Sequence, residues 1–163
     1  MENKSKTEKI NFPNLNKCTI AIIGLGYVGL PLAVEFAKKR NCIISGDLLE
    51  RKIIGFDINE KRLQELKQGN DSTSEINTEL LSDGNFINFT SDISTIASAD
   101  VFIVAVPTPI NNFNEPDLSA LKGASKTVGQ ALKIKKIEKV IIYQSLFLRV
   151  LFFLALQRKF VSQ

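Results

Sequence analysis

The stretch Ala21–Ala33, AIIGLGYVGLPLA, drives an apolar run straight into a glycine-rich turn. Lys17–Ile23 (KCTIAII) is apolar apart from Lys17 and Thr19, the pattern of a strand buried on both faces. Val28–Arg40 then reads as a helix, with Pro31 in the first turn, where a missing N–H costs little. Between them lies Gly24-x-Gly26-x-x-Gly29. On its own this spacing is a weak signal, but here it has the strand before it and the helix after it that the chemistry needs. Gly24 permits the tight turn, Gly26 lets backbone approach a pyrophosphate, and Gly29 lets helix and strand pack closely. The start of the helix adds free N–H groups and partial positive charge. The stretch therefore predicts a site for a dinucleotide.

The remaining pattern alternates in the same sense. Lys52–Phe56 (KIIGF) is a second strand, and Asn59 is placed to cap a helix that runs through Gln68 and stops at Gly69. After a polar stretch, Asn85–Phe89 reads as a short third strand and Asp100–Val106 as a fourth, ended by Pro107-Thr108-Pro109. Asp117 caps a helix to about Lys133, and Lys139–Tyr143 is a fifth strand. Strands separated by helix-length segments imply right-handed βαβ units. The fold class expected is α/β, a Rossmann-type doubly wound parallel sheet, incomplete at its C-terminal end. Residues 1–16 read as a polar arm, 17–145 as the dinucleotide-binding domain and 146–163 as an apolar tail. The segment Asn41–Arg51 lengthens the first crossover as a surface loop or short hairpin.

A dinucleotide site of this type uses an acid after the second strand to hold the adenosine ribose. Asp57 ends an apolar strand but lies 28 positions beyond Gly29, whereas Asp47 lies 18 beyond it. Asp57 is favoured, because KIIGFD leads directly into the capped helix and the extra loop accounts for the added length. Asp47 stays open as the alternative. Arg62, in the first turn of that helix, is either a contact for the adenosine end or a solvated helix arginine. An acid in this position favours NAD over NADP, whose phosphate it would repel.

Composition narrows the function classes. A chain of 163 residues with 44% hydrophobic and 23% charged residues can build one ordinary core. The absence of histidine excludes Cys/His zinc sites and histidine acid–base catalysis. Cys18 and Cys42 form no C-x-x-C pair, and with no secretory signal in view they point to a reducing, cytoplasmic setting. The net charge of +4 is scattered, with no basic stripe interleaved with aromatics, so no nucleic-acid partner is expected. Val140–Leu156 is apolar but interrupted by Gln144, Ser145 and Arg149, so no membrane partner is expected either. That tail is expected to patch the sheet or to promote aggregation.

GLGYVGLPLAVEF, GFDINEKRLQELKQG, DVFIVAVPTPIN and EPDLSAL together resemble the N-terminal part of the UDP-glucose/GDP-mannose dehydrogenase family. The likeness is strongest to bacterial members acting on UDP-N-acetylhexosamines for capsule, Vi-type or O-antigen polysaccharides, and runs from about Lys17 to Ser145. It implies an NAD-binding Rossmann domain, a central helix that forms a homodimer, and a C-terminal domain that holds the UDP-sugar. It implies oxidation of the sugar C6 hydroxyl to a carboxylate in two NAD-dependent steps, through a catalytic cysteine. By position, Gly24, Gly26, Tyr27, Val28 and Gly29 match the pyrophosphate turn. Asp57 matches the ribose acid, Arg62 its basic partner, and Thr108 a threonine that contacts the cofactor, with turn chemistry between two prolines as the alternative reading of Thr108.

The likeness stops inside a motif. The family continues after the fifth strand with E-S-T-V-x-P-G, where this chain has Gln144 for the acid and Leu146 for the threonine. A truncated or frameshifted reading frame is the expectation. No residue matches the family's catalytic cysteine, lysine or acid, so no catalytic residue is assigned and the chain alone is expected to be inactive. A non-enzymatic NAD(H)-sensing module and a defective fragment stand as the alternatives.

Overall fold

A computed structural model describes residues 13–77, 81, 86–110, 115–134, 140–145 and 148–155, the last two spans as backbone only. Most of the polar arm, Asn85, Lys139, Leu146 and the end of the tail lie outside the described residues.

Six strands form one sheet: β1 (Thr19–Ile23), β2 (Lys52–Phe56), β3 (Ile87–Thr90), β4 (Val101–Val104), β5 (Val140–Ser145) and β6 (Leu148–Ala155). Their order is β3-β2-β1-β4-β5-β6, with the first five parallel and β6 antiparallel to β5. Four helices are described: α1 (Gly29–Lys38), α2 (Glu60–Lys67), α3 (Ile93–Ile96) and α4 (Ser119–Ile134). The doubly wound parallel sheet is the one the sequence predicts.

Alternation along the buried strands explains the layers. In β1, Ile20 and Ile22 face one side with Leu30, Ala33 and Val34 of α1 and Leu63 and Leu66 of α2. Ala21 and Ile23 face the other, with Ile96 of α3 and Ala124, Val128 and Ala131 of α4. β4 divides in the same way, Val101 and Ile103 against Phe102 and Val104. Each face needs its own helices, because a strand apolar on both sides cannot leave either in water. Burying each of these large side chains contributes about 1.5–3 kcal/mol before chain entropy is set against it.

Helix ends follow local chemistry. The Asn59 side chain accepts from Arg62 N–H at the head of α2, and Gly69 stops that helix with a φ of +76°. Asp117 Oδ1 accepts from Ser119 N–H at the start of α4. The connection at Asn41–Arg51 is a short hairpin bridged at Asn41 and Leu48, and buried Leu49 anchors it.

One element was not expected: α3 is a single turn capped by Asp92, too short to show a periodicity in sequence. β6 pairs with β5 at the edge of the sheet, the place where the tail was expected to patch it. Among the described residues no helix is long and apolar enough to cross a membrane.

Candidate functional site

The connections β1–α1–β2–α2–β3 wind over one face, while α3 and α4 cover the other, so the strand order reverses between β1 and β4. In sheets of this kind ligands sit at the carboxyl ends of the strands beside that reversal. Three segments meet there: the glycine turn after β1, Asp57 after β2, and the loop carrying Thr108 after β4.

The three glycines have different explanations. Gly24 has a φ of +94°, and a Cβ there would stand 2.9 Å from the Ala105 carbonyl oxygen; its N–H donates to Phe56 O at 2.8 Å. At Gly29 an added Cβ would lie 1.8 Å from the Gly24 carbonyl oxygen, an impossible distance that sets how closely α1 approaches the turn. Gly26 is different, because a Cβ there would meet nothing within 4 Å and its φ is not in the positive region. The fold therefore accounts for Gly24 and Gly29, and the open space over Gly26 fits a group from outside the chain.

The head of α1 suits an anion. Val28 occupies the cap position without a side-chain hydrogen bond, so no side chain caps the first turn. Tyr27 projects outward at 69% exposure, and Val28 is half-buried against the core.

Asp57 is bound into the turn. Its Oδ2 accepts Leu25 N–H at 2.8 Å and its Oδ1 accepts Asn59 N–H at 2.9 Å. Each oxygen keeps acceptor capacity for a hydroxyl pair, and the residue is half-exposed. Asp47 lies instead on the 41–51 hairpin at the other end of the sheet, within 3.5 Å of Asn16 Nδ2 and 2.7 Å of Ser45 Oγ. The structure brings Asp57, not Asp47, to the glycine turn.

Arg62 is not a solvated helix arginine. It is 8% exposed, and its Nε donates to Leu25 O at 3.1 Å. Nη1 donates to Ser72 Oγ at 3.0 Å, and Nη2 to Asp71 Oδ1 at 2.6 Å. Sequence reasoning treated the segment around Asp71 as a polar stretch and missed Leu25 altogether. Leu25 is fully buried, its side chain seated within 3.2 Å of the Cβ position of Gly55, and both its backbone polar groups are held by site residues. A signal was present in part: Asp-Ser-Thr soon after a helix-stopping glycine is turn chemistry.

Thr108 is half-buried between Pro107 and Pro109, and the loop is fastened by Asp117 N–H donating to Pro109 O. Neither cysteine lies at this end of the sheet. Cys18 precedes β1, where burial pushes its thiol pKa up, and Cys42 is on the hairpin. A five-residue strand, about 17 Å, separates Cys18 from the turn.

Comparison with known proteins agrees with this geometry. Residues 18–148 match the family described as "UDP-glucose/GDP-mannose dehydrogenase family, NAD binding domain". The chain is 44% identical over 131 residues to the UDP-N-acetyl-D-glucosamine 6-dehydrogenase of Salmonella typhi, covering 80% of this chain and 28% of that protein. A Pseudomonas aeruginosa protein of the same name is 44% identical over 126 residues, covering 77% of this chain and 26% of its own length. Among solved structures, a ternary complex of GDP-mannose dehydrogenase from Pseudomonas aeruginosa superposes with a TM-score of 0.66 at 24% identity, over 77% of this chain and 28% of that one, a likeness of fold. The chain thus spans little more than a quarter of the length of the curated relatives it matches. With residues 18–148 matched to its NAD-binding domain, the chain belongs to the UDP-glucose/GDP-mannose dehydrogenase family.

Proposed function

We propose that this chain holds NAD with its pyrophosphate on Gly24, Gly26, Tyr27, Val28 and Gly29, its adenosine ribose on Asp57, and Thr108 toward the cofactor from the β4 side. The observation that carries this reading is the open space over Gly26 beside an uncapped helix start. Bound there, NAD would supply a hydride acceptor. The chain's own residues do the rest: backbone N–H groups at the head of α1 face negative charge, and Asp57 accepts from paired hydroxyls while its own carboxylate is fixed by Leu25 and Asn59. Arg62 acts through the carbonyl of Leu25 and so positions the turn.

The substrate class follows from the relatives, which are named for oxidation of UDP-N-acetyl-D-glucosamine. In this proposal the chain is the cofactor half of a nucleotide-sugar dehydrogenase that takes a UDP-sugar C6 hydroxyl to the carboxylate, in polysaccharide synthesis. In this proposal the NAD-binding unit is residues 17–145, a reading the match over 18–148 supports, and the catalytic groups and the homodimer contact of the family belong to sequence outside it. No thiol among the described residues stands near the turn, and in this proposal the chain's part is to bind the cofactor. A cytoplasmic setting accords with its two free cysteines.

Calorimetric titration with NAD, followed by an NADH absorbance assay with UDP-N-acetylglucosamine, tests the reading. Saturable binding at one site without NADH production is expected. Absence of binding by folded protein overturns the cofactor assignment, and sustained NADH production overturns the claim that the chain lacks the catalytic groups.

A further inference from the structure

The hairpin over residues 41–51 holds two isoleucines outward at its tip. Ile43 is 85% exposed and Ile44 97%, and Leu48 on the returning arm is also exposed. The tip is firmly built: Cys42 N–H donates to Asp47 O and Gly46 N–H to Cys42 O, both at 2.8 Å, and Gly46 takes a φ of +75°. Buried Leu49 roots the hairpin, its N–H donating to Arg40 O at 2.7 Å. Exposed turns ordinarily carry polar residues, so two adjacent isoleucines held in water mark a contact surface. Beside them, between the hairpin and α1, lies a groove of about 290 Å³ walled by Leu32, Phe36 and Leu49, with the isoleucines as its outer lip. A cavity of about 150 Å³ already takes a six-carbon ring, so the groove has room for an isoleucine side chain.

We infer that this face is an interface between two copies of the chain, in which Ile44 of each protomer enters the groove beside α1 of the other. The projecting isoleucine and the groove that receives it lie on one surface, as a two-fold contact requires. The charges match in the same way. Lys39 and Arg51 also line the groove, and among the described residues neither forms an ion pair. Arg51 donates from Nε to Leu15 O at 2.6 Å, and its guanidinium stands 5.9 Å from the centre of the Phe36 ring on the groove wall. Glu35, the acid in the lining, is already paired with Lys38 at 3.6 Å. Asp47, three residues beyond Ile44, bonds to neutral groups, Ser45 Oγ at 2.7 Å and Asn16 Nδ2 at 3.5 Å, and among the described residues forms no ion pair. An acid therefore travels with the isoleucine toward two unpaired cations. That pairing fixes the register of the contact and favours a second copy over an unrelated apolar partner. One hairpin against one helix face is a small interface, so the dimer is weak and concentration-dependent. It is separate from the homodimer contact that the proposed function places outside residues 17–145, and it does not rest on the cofactor reading.

The test is sedimentation velocity on the full chain, wild type and variants, across a wide range of concentration. Wild type should shift reversibly from monomer to dimer as concentration rises. Ile44→Ser changes a side chain that touches little in the monomer, so it should raise the dimer dissociation constant at least tenfold at an unchanged melting temperature. Asp47→Lys should raise the constant at least threefold, and the charge exchange Asp47→Lys/Lys39→Glu should recover most of that loss. A wild type that stays monomeric overturns the inference and leaves the groove to another partner. Association of equal strength in folded Ile44→Ser runs through another face, the apolar tail included, and overturns it too. An exchange that recovers nothing overturns the two-fold pairing, because Asp47 then does not face the cations of the second copy. Should Ile44→Ser fail to fold, the exposed residues Asp47 and Lys39 carry the test, and a dimer indifferent to both overturns the inference.

Discussion

The backbone N–H of Leu25 donates to Asp57 Oδ2 at 2.8 Å, tying the turn after β1 to the acid after β2. The bond crosses between neighbouring parallel strands, so the placement of the turn and of the carboxylate is a single event. Arg62 closes the other side through Leu25 O, and Gly55 leaves room beneath the Leu25 side chain. Leu25 is the fixed point about which the glycine turn and the Asp57 carboxylate, the proposed pyrophosphate and ribose contacts, are set.

The glycines of the turn should separate binding from folding. Gly26→Ala meets nothing in the protein, so its melting temperature should stay within about 2 °C of wild type. Its NAD affinity should fall at least tenfold, because the methyl occupies the approach of the pyrophosphate. Gly29→Ala drives a Cβ to 1.8 Å from Gly24 O and should unfold the protein or lower its melting temperature by more than 10 °C. Thermal melts beside calorimetry check both, and equal loss of stability in the two variants would show that Gly26 is structural.

Asp57→Asn should weaken NAD binding by about 1.5–3 kcal/mol, the range for hydrogen bonds to a charged group. Asp47→Asn should leave it unchanged, since Asp47 is exposed on the hairpin at the far end of the sheet. Calorimetry on the two variants decides between them. Loss of affinity in Asp47→Asn alone would mean that the cofactor does not sit at the glycine turn.

How much of this was legible follows from the range of each interaction. The strands β1, β2 and β4 and the turn between β1 and α1 are written in contiguous residues, apolar runs bounded by glycine, aspartate or proline, and they read correctly. That Asp57 and not Asp47 stands beside the glycine turn was also legible, because a capped helix directly follows it. What escaped was written across distance. Arg62 to Leu25 spans 37 positions, and the value of Asp71 depends on an arginine nine residues earlier turning inward instead of into water. A helix arginine carries no local mark that says which way it turns, and the short α3 has no second turn to reveal itself.

Acid should loosen the site before it unfolds the sheet. Burial raises the Asp71 pKa, but hydrogen bonds from Thr73, Arg62 and the loop amides outweigh it and bring the group to about 2. Against an ordinary 3.8, the folded state therefore holds its proton less readily than the unfolded chain does. The stability this confers is fully present above about pH 4 and is lost as pH falls from there toward 2. With solvent screening allowed for, the contribution is on the order of 1 kcal/mol. Urea midpoints measured from pH 5 to pH 2 should fall for wild type, and fall by less for Asp71→Asn, which carries no proton to gain at that position. The variant should also start from the lower midpoint at pH 5, where the ionised Asp71–Arg62 pair is intact only in wild type. Parallel pH profiles for the two proteins would mean that the Asp71–Arg62 pair contributes nothing to the fold, and that the inward turn of Arg62 is held by its other partners, Leu25 O, Ser72, Thr73 and Glu65.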